Sequence, residues 1–427
     1  MIKNKIFRNA SWIIGCRILQ SVFSLIITML SARFLEPTNY GLINYAASIV
    51  AFVVPIMQLG LNNILVLELV SSPDDEGEIL GTSIFMSLGS AFLSIAGVIS
   101  FVSIANRNEP ETILVCALYS ILLIFQALDL IQYWFQAKYL SKFTAITTLI
   151  AGVCVSLYKV AILVTSKSVY WFAMSYAIDY FLISVTLIII YKKLKGKGFR
   201  FSWQRAISLF RKSRYYMLSS FMLAVFAQTD KIMLKLLIDN AATGYYTAAV
   251  TCSTLTAFVF AAIIDSFRPS IFEAKATDPK NFETGMVRLY SVIIYLSFAQ
   301  SIGMMIFSKL VIGIIYGGAY APAISILRLA VWATPFSYIG SVRNIWILAE
   351  GKQKYLWVIN LLGAVVNLTA NYISITLWGI MGAALSSVIT QLFTNVLLGF
   401  IIKPIRRNNV LMIKALNPMN LLKLIKK

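Results

Sequence analysis

Residues 79–104 read ILGTSIFMSLGSAFLSIAGVISFVSI, a run of 26 residues without a charged side chain. A helix needs about 20 predominantly apolar residues to cross roughly 30 Å of hydrocarbon, so this run is long enough to span a bilayer. Similar runs follow one another along the chain, in which 59% of the 427 residues are apolar and 13% are charged. The mean hydropathy of +0.80 lies outside the range of soluble globular domains.

Leu, Ile, Val and Phe fill all faces of these runs, whereas the strands of a membrane barrel would alternate apolar and polar side chains. The sequence therefore predicts an all-α polytopic membrane protein with about twelve transmembrane helices. The predicted spans are 9–34, 40–70, 79–104, 111–134, 143–166, 168–191, 214–238, 245–267, 286–308, 322–349, 355–378 and 382–402.

The basic residues predict the orientation, because Lys and Arg accumulate on the cytoplasmic side of membrane proteins. With the N-terminus inside, the cytoplasmic segments hold 27 Lys or Arg and the opposite loops hold four. We therefore expect both termini in the cytoplasm, and the net charge of +20 does not imply a nucleic-acid partner. One loop disagrees, since Asp74-Asp75-Glu76-Gly77-Glu78 has no basic residue although this topology places it inside.

The longest basic interruption separates six predicted spans from six. We predict an N-terminal six-helix lobe (1–191), a basic cytoplasmic linker (192–213), a C-terminal six-helix lobe (214–402) and a basic cytoplasmic tail (403–427). Within 199–214, Trp203, Ile207 and Phe210 share one helical face among basic residues, which predicts a helix lying on the anionic membrane surface. The tail has a similar composition, so we expect the same of it.

Short matches relate the two lobes. Trp134-x-x-Ala137 and Trp346-x-x-Ala349 occur at the same joint, between the fourth and fifth spans of each lobe. Repeats with an even number of spans have the same orientation in the membrane, with an axis along the membrane normal. The pattern predicts two lobes around a central cavity, which is the architecture of alternating-access transporters.

Several motifs resemble the polysaccharide flippase family, which belongs to the MOP exporter superfamily together with the MATE exporters and the lipid II flippases. Residues 32–41 (ARFLEPTNYG) resemble the junction after the first helix of that family. In the second half the resemblance is carried by residues 230–232 (DKI), 243–246 (TGYY), 316–322 (YGGAYAP) and 379–384 (GIMGAA). The similarity extends over essentially the whole chain.

The resemblance implies a flippase that moves undecaprenyl-diphosphate-linked oligosaccharide repeat units, of O-antigen or capsule, across the bacterial inner membrane by ion-coupled alternating access. The implied partners are the lipid-linked glycan, membrane lipids, a polysaccharide polymerase and a chain-length regulator. No cofactor is implied besides a coupling ion, either H⁺ or Na⁺.

Ten charged residues fall within predicted spans. An ionised side chain at the centre of a membrane helix costs about 2.5 to 3.5 kcal/mol, so most of these residues must face an interior or lie near a span end. We predict a cationic substrate cavity formed by Arg17, Lys159, Lys231, Lys235, Arg328 and Arg343. The candidates for ion coupling are Asp129, Asp179, Asp230 and Asp265.

Structural alternatives exist for several of these residues. Lys235 and Arg343 have side chains long enough to snorkel to the membrane interface. Asp230 and Asp265 each have basic neighbours whose charge they would balance. Helical spacing nevertheless favours polar interior faces, because Gln126 and Asp129 lie on one face of the fourth predicted span.

Two other function classes fit the sequence less well. A MATE-like antiporter for cationic drugs should have mainly carboxylates in its cavity, whereas six of the ten intramembrane charges here are basic. A membrane-bound polysaccharide polymerase or transferase is disfavoured by the lack of His and of a DxD motif. We therefore expect no catalytic residues, and the four cysteines, which lack CxxC spacing, indicate no metal site.

Overall fold

A computed structural model describes residues 2–165 and 168–418, with the side chains of residues 2–22, 24 and 280 excepted. The protein is an all-α membrane protein, as predicted. Its chain divides into two compact units, Met1–Gln228 and Thr229–Lys427. The division falls within a helix that begins in the predicted linker.

The first unit contains eight helices and the start of a ninth. They are α1 (Ile2–Met57), α2 (Leu65–Ser71), α3 (Glu76–Ala105), α4 (Pro110–Ser120), α5 (Leu122–Leu128), α6 (Gln132–Ala137), α7 (Ser141–Val164), α8 (Val169–Lys193) and α9 (Trp203–Leu237), with 3₁₀ turns at Leu61–Asn63, Pro73–Asp75 and Asp129–Ile131. The last of these turns interrupts the fourth predicted span.

The second unit begins with the end of α9. It continues with α10 (Asn240–Ser253), α11 (Ala257–Thr277), α12 (Pro279–Ile306), α13 (Ser308–Ile315), α14 (Ala323–Ala330), α15 (Ala333–Ala349), α16 (Lys354–Leu392), α17 (Leu398–Ile401) and α18 (Arg406–Ala415), with 3₁₀ turns at Gly318–Tyr320 and Lys403–Ile405 and a π-helical turn at Phe393–Leu397.

Within the described residues, nine helical segments are long and apolar enough to cross a membrane, or ten if the pair α10 and α11, bent by 42°, forms one span. Two of the helices are kinked where the sequence predicts two spans. In α1, Glu36 has φ 59° and ψ 169° and precedes Pro37, whose ring disfavours the helical conformation of the residue before it. In α16, Gly379 has φ 58°. The count of twelve stays a prediction.

The predicted surface helix over 199–214 is wrong in its extent. Residues 199–202 are not helical, and α9 runs from Trp203 to Leu237 without a break. The physical reason is that no Gly or Pro interrupts these residues. The amphipathic segment is therefore the first part of a long helix that continues into the seventh predicted span.

The first part of the predicted tail is a docked helix. Asn408 and Asn409 of α18 are buried, and the Tyr290 hydroxyl of α12 donates to the Asn408 Oδ1 at 2.9 Å. Ser291, also on α12, donates to the Ala415 carbonyl at 2.9 Å. The tail therefore begins with a helix that packs on α12 of its own unit, and the expectation that the tail lies on the membrane surface stays a prediction. Residues 419–427 lie outside the described part of the chain.

The acidic loop that contradicts the charge rule is neutralised within its own unit. The Arg205 guanidinium contacts the Asp75 carboxylate at 2.5 Å, and the Lys138 ammonium lies 3.0 Å from the Glu76 carboxylate. Lys197 donates to the Asp74 carbonyl at 2.8 Å. The loop therefore lies on the same side of the membrane as these basic segments. They supply the positive charge that the loop itself lacks.

A smaller charged cluster occupies the second unit. Lys275 hydrogen-bonds the Glu350 carboxylate, and the Lys352 ammonium lies 3.7 Å from it. Burial raises the pKa of Glu350, but these two ammonium groups and the Arg407 guanidinium together outweigh burial and hold that pKa below its usual value. The stability that this ionised carboxylate contributes is thus present above the pKa of an unfolded Glu and is lost as the pH falls through the lowered value.

Two glycines of α3 provide a test of the linker packing. A Cβ added at Gly81 would lie 2.6 Å from the Arg200 backbone nitrogen, whereas one at Gly89, on the same helix, would have no neighbour within 4 Å. We expect Gly81→Ala to destabilise the protein by about 1–3 kcal/mol through overpacking. Gly89→Ala should be neutral or stabilise it by about 0.5–1 kcal/mol, because alanine favours a helix. Thermal unfolding of the purified variants measures both, and equal midpoints would contradict the packing of the linker on α3.

Candidate functional site

Asp230 lies near the end of α9, and only 9% of its surface is exposed. Its Oδ1 accepts hydrogen bonds from the side-chain amides of Asn367, at 3.1 Å, and Asn371, at 2.5 Å. Its Oδ2 accepts from the Tyr246 hydroxyl at 2.5 Å and from the Ser387 hydroxyl at 2.8 Å. We call these five residues the Asp230 cluster. Four protein donors therefore converge on one buried carboxylate within an apolar span.

Three helices of the second unit bring the cluster together. Asn367 and Asn371 are four residues apart and therefore lie on one face of α16. Ser387 follows the kink at Gly379, beyond which Gly382 packs directly against the Ser374 carbonyl. A side chain at Gly382 would overlap that carbonyl. The glycines thus let the second part of α16 return close to the first and carry Ser387 to the carboxylate.

The cluster retains unused oxygen atoms. The Oδ1 atoms of Asn367 and Asn371 are buried and have no hydrogen-bond partner among the described residues. A half-turn of each amide group would direct these oxygens towards Asp230. The cluster would then present carboxylate, amide and hydroxyl oxygens, which are the ligands that hard cations prefer.

Two basic candidates lie on the same helix as Asp230. Lys231 is half-buried and interacts electrostatically with its neighbour Asp230. Lys235 is 6% exposed. The second unit therefore contains basic side chains on the same helix as the cluster carboxylate.

In the first unit, Lys159 of α7 lies among aromatic rings. Its ammonium is 3.8 Å from the centroid of Tyr176 and 5.1 Å from that of Phe172. Tyr176 in turn contacts Tyr119, with ring centroids 4.6 Å apart. Cation–π contacts of this kind contribute roughly 0.5–2 kcal/mol. A cation beside aromatic faces is suited to an anionic group attached to sugar rings.

The remaining candidates are placed differently. Arg343 is 3% exposed and donates to the Thr394 carbonyl at 2.6 Å, within the π-helical turn. Arg328 is exposed and donates to the Ser308 hydroxyl at 2.9 Å. Asp265 is exposed and pairs with Arg268 at 3.0 Å. The side chain of Arg17 lies outside the described part of the chain.

Sequence reasoning missed the partners of Asp230. Asn367 and Asn371 form a polar pair at helical spacing in an otherwise apolar segment, a signal that was available. Tyr246 and Ser387 gave no such signal, because hydroxyl side chains are frequent in membrane helices and satisfy their own helix backbone.

A family model described as "polysaccharide biosynthesis protein" matches residues 30–325. Comparison with curated protein sequences gave no significant match. Among solved structures, the lipid II flippase MurJ is similar with a TM-score of 0.73 and 15% identity, over 97% of this chain and 93% of that one.

A multidrug resistance transporter of the MATE family, from the MOP superfamily, is similar with a TM-score of 0.70 and 13% identity. The similarity covers 92% of this chain and 95% of that one. At such identities the likeness concerns the fold. The predicted resemblance is confirmed: the chain has the fold of the MOP superfamily and belongs to the family of polysaccharide biosynthesis proteins.

Proposed function

We propose that this protein is a flippase that carries undecaprenyl-diphosphate-linked oligosaccharide repeat units, of O-antigen or capsule, across the bacterial inner membrane. The observation that carries the proposal is the presence of basic side chains within apolar spans of a polysaccharide biosynthesis protein. The diphosphate and the glycan are the parts of such a substrate that the hydrocarbon excludes, while the polyprenyl chain can remain in lipid.

Lys159 and Lys231 are the basic residues best suited to receive the diphosphate. Lys159 is half-buried against aromatic rings, and Lys231 is half-buried beside Asp230. Where water is scarce, an ammonium attracts a phosphate more strongly than at an exposed surface. We include Arg17, Lys235 and Arg328 as further contributors, whereas the contact of Arg343 with the Thr394 carbonyl favours a structural role.

We further propose that transport is coupled to a monovalent cation at the Asp230 cluster. Its single carboxylate suits one positive charge, and the two amide groups can present either nitrogen or oxygen. With the amide nitrogens towards Asp230, the carboxylate is satisfied by protein donors alone. Such a two-state cluster lets ion binding change how α9 and α16 are held together.

We propose that both termini and the segment from Lys192 to Arg214 face the cytoplasm, because of the 27-to-4 distribution of basic residues. Fusions of a reporter that is active only in the periplasm, placed after Lys197 and after Lys427, should be inactive. A fusion after Arg107, in a loop of the opposite side, serves as the positive control. Activity at Lys197 or Lys427 would overturn the orientation.

The function is tested in cells that lack the protein and accumulate the lipid-linked glycan on the cytoplasmic face. Expression of the protein should restore delivery of the glycan to the periplasmic face without changing resistance to cationic drugs. A MATE-like antiporter would give the opposite pair of results, and restored glycan assembly on the cytoplasmic face would indicate a polymerase or transferase.

A further inference from the structure

The last membrane helix contains a π-helical turn near its end, Phe393–Leu397. The backbone N–H of Leu398 bonds to the Phe393 carbonyl, five residues earlier, whereas an α-helix would use the carbonyl of Thr394, four residues earlier. The turn therefore holds one residue more than an α-helical turn, and the Thr394 carbonyl loses the donor that an α-helix would give it. Within hydrocarbon, no water replaces such a donor.

Two buried side chains from other helices donate to this turn instead. The Arg343 guanidinium of α15 donates to the Thr394 carbonyl at 2.6 Å, and the Asn409 amide of α18 donates to the Val396 carbonyl at 2.7 Å. Arg343 is 3% exposed and Asn409 is fully buried. A Cβ added at Gly399 would lie 2.1 Å from the Asn409 Oδ1, so α18 approaches the turn over a glycine. Because an unpaired carbonyl is costly in a protein interior, the two donors favour the π-helical form.

The turn lies between the Asp230 cluster and the tail helix. Ser387, whose hydroxyl donates to Asp230, belongs to the last part of α16 before the turn. The helix α18 follows the turn after α17 and the 3₁₀ turn Lys403–Ile405. Conversion of the turn to α-helix would shift the chain after it by one residue relative to the chain before it, about 1.5 Å and about 100°. Ser387 and α18 would then not both keep their present contacts.

The other interrupted span, in the first unit, is stabilised differently. Asp129 is 9% exposed and begins the 3₁₀ turn Asp129–Ile131. Its Oδ2 accepts a hydrogen bond from the Gln132 amide, three residues later, at 2.6 Å. The helix α8, which carries the half-buried Asp179, packs on this turn. Local side chains thus bond to each other there, whereas the π-helical turn receives donors from two other helices.

We propose that Arg343 and Asn409 are positioning residues. By holding the π-helical turn they fix the register of the last membrane helix, and with it the place of Ser387 in the Asp230 cluster. The docked tail helix is thereby linked to the cluster, because a displacement of α18 withdraws the Asn409 donor and favours conversion of the turn. The effect on a bound cation rests on the proposed ion coupling, whereas the role of the two donors in the turn does not.

A double-variant cycle on the purified full-length protein in lipid nanodiscs, followed by thermal unfolding, tests the role of Arg343. Deletion of Leu397 removes the extra residue of the turn, so the chain after it keeps its orientation. The Thr394 carbonyl then regains a backbone donor, and the guanidinium loses that acceptor. Arg343→Met leaves the carbonyl unpaired instead. Each change alone should lower the unfolding midpoint, whereas the double variant should unfold at a higher temperature than the deletion alone.

The control is deletion of Ile389, in the regular part of α16. It rotates the chain after it by about 100°, and Arg343→Met should not raise its unfolding midpoint. Midpoint losses that simply add between Arg343→Met and the deletion of Leu397 would overturn the proposal. Failure of the Leu397 deletion to fold in both backgrounds would also overturn it, since the turn would then contain no extra residue.

Hydrogen exchange of the full-length protein tests the effect on Ser387. Asn409→Leu keeps the size of the side chain and removes its amide donor. It should speed amide exchange in residues 380–392, which include Ser387, and leave exchange in α7 of the first unit unchanged. Equal exchange of residues 380–392 in the wild type and in Asn409→Leu would overturn the positioning role.

The same measurement with NaCl in place of choline chloride examines the link to a cation. Na⁺ should slow exchange in residues 380–392 of the wild type, and it should do so less in Asn409→Leu. A wild type that does not respond to Na⁺, together with the expected double-variant cycle, would reject a sodium site at the cluster and retain the two donors. A normal response to Na⁺ in Asn409→Leu would retain the cation site and reject the positioning role.

Discussion

Replacement of Asp230 by asparagine is expected to abolish ion-dependent transport while the protein still reaches the membrane. Asparagine has nearly the size of aspartate but no charge. The variant therefore lacks the negative charge that would attract a cation. The carboxylate accepts four hydrogen bonds, and bonds to a charged acceptor contribute about 1.5–3 kcal/mol each. Because roughly 1.4 kcal/mol corresponds to a factor of ten, a loss of transport of at least tenfold is expected.

The matched control is Asp265→Asn. It makes the same chemical change on a carboxylate that is exposed and pairs with Arg268 on its own helix. Asn371→Leu provides an independent test of the cluster, since it removes one amide and keeps the Asp230 charge. If transport and its ion dependence survived the asparagine substitution at Asp230, and likewise at Asp129 and Asp179, ion coupling through these carboxylates would be excluded.

Neutralising Lys159 or Lys231 is expected to reduce delivery of the lipid-linked glycan more than exchanging the lysine for arginine does. The charge is what attracts the diphosphate, and arginine keeps it and can form two parallel hydrogen bonds to phosphate oxygens. We expect Lys159→Ala and Lys231→Ala to lose about tenfold or more, which corresponds to one charge-assisted hydrogen bond. Lys159→Arg and Lys231→Arg should retain most of the transport.

Replacement of Arg17 and Arg328 by alanine and by lysine completes the series, with protein levels in the membrane measured for every variant. Arg343→Ala is the contrasting case. It removes the buried donor to the Thr394 carbonyl, so it should lower the amount of folded protein. Normal transport by all the alanine variants at normal protein levels would show that these charges are structural.

The fold class could be predicted because each membrane helix is a long run of consecutive apolar residues, which can be recognised without knowledge of tertiary contacts. The boundaries between predicted spans at Glu36-Pro37 and at Gly379 were also visible in the sequence, because Pro and Gly interrupt helices. The course of α9 was not predicted, because its basic first part resembles a surface helix in composition and only its lack of helix breakers shows that it continues into a span.

The site was predicted in part. Asp230 and Lys231 stood out because charged residues are rare in apolar spans, and the same argument singled out Asp129 and Asp179. The sequence alone does not show which of these side chains contact one another in the folded protein. The approach of Ser387 to Asp230 depends on the kink at Gly379 and on tertiary packing, and the acidic loop at Asp74–Glu78 looked unpaired because Arg205 lies far away in sequence.

The most direct measurement is translocation of a purified undecaprenyl-diphosphate-linked oligosaccharide in liposomes that contain only this protein. A cation gradient is imposed, and the glycan exposed on each face is quantified by enzymatic digestion from outside. We predict faster translocation than in protein-free liposomes, and a rate close to the protein-free one for the Asp230→Asn variant. Equal rates with and without the wild-type protein, under both H⁺ and Na⁺ gradients, would contradict the proposed function.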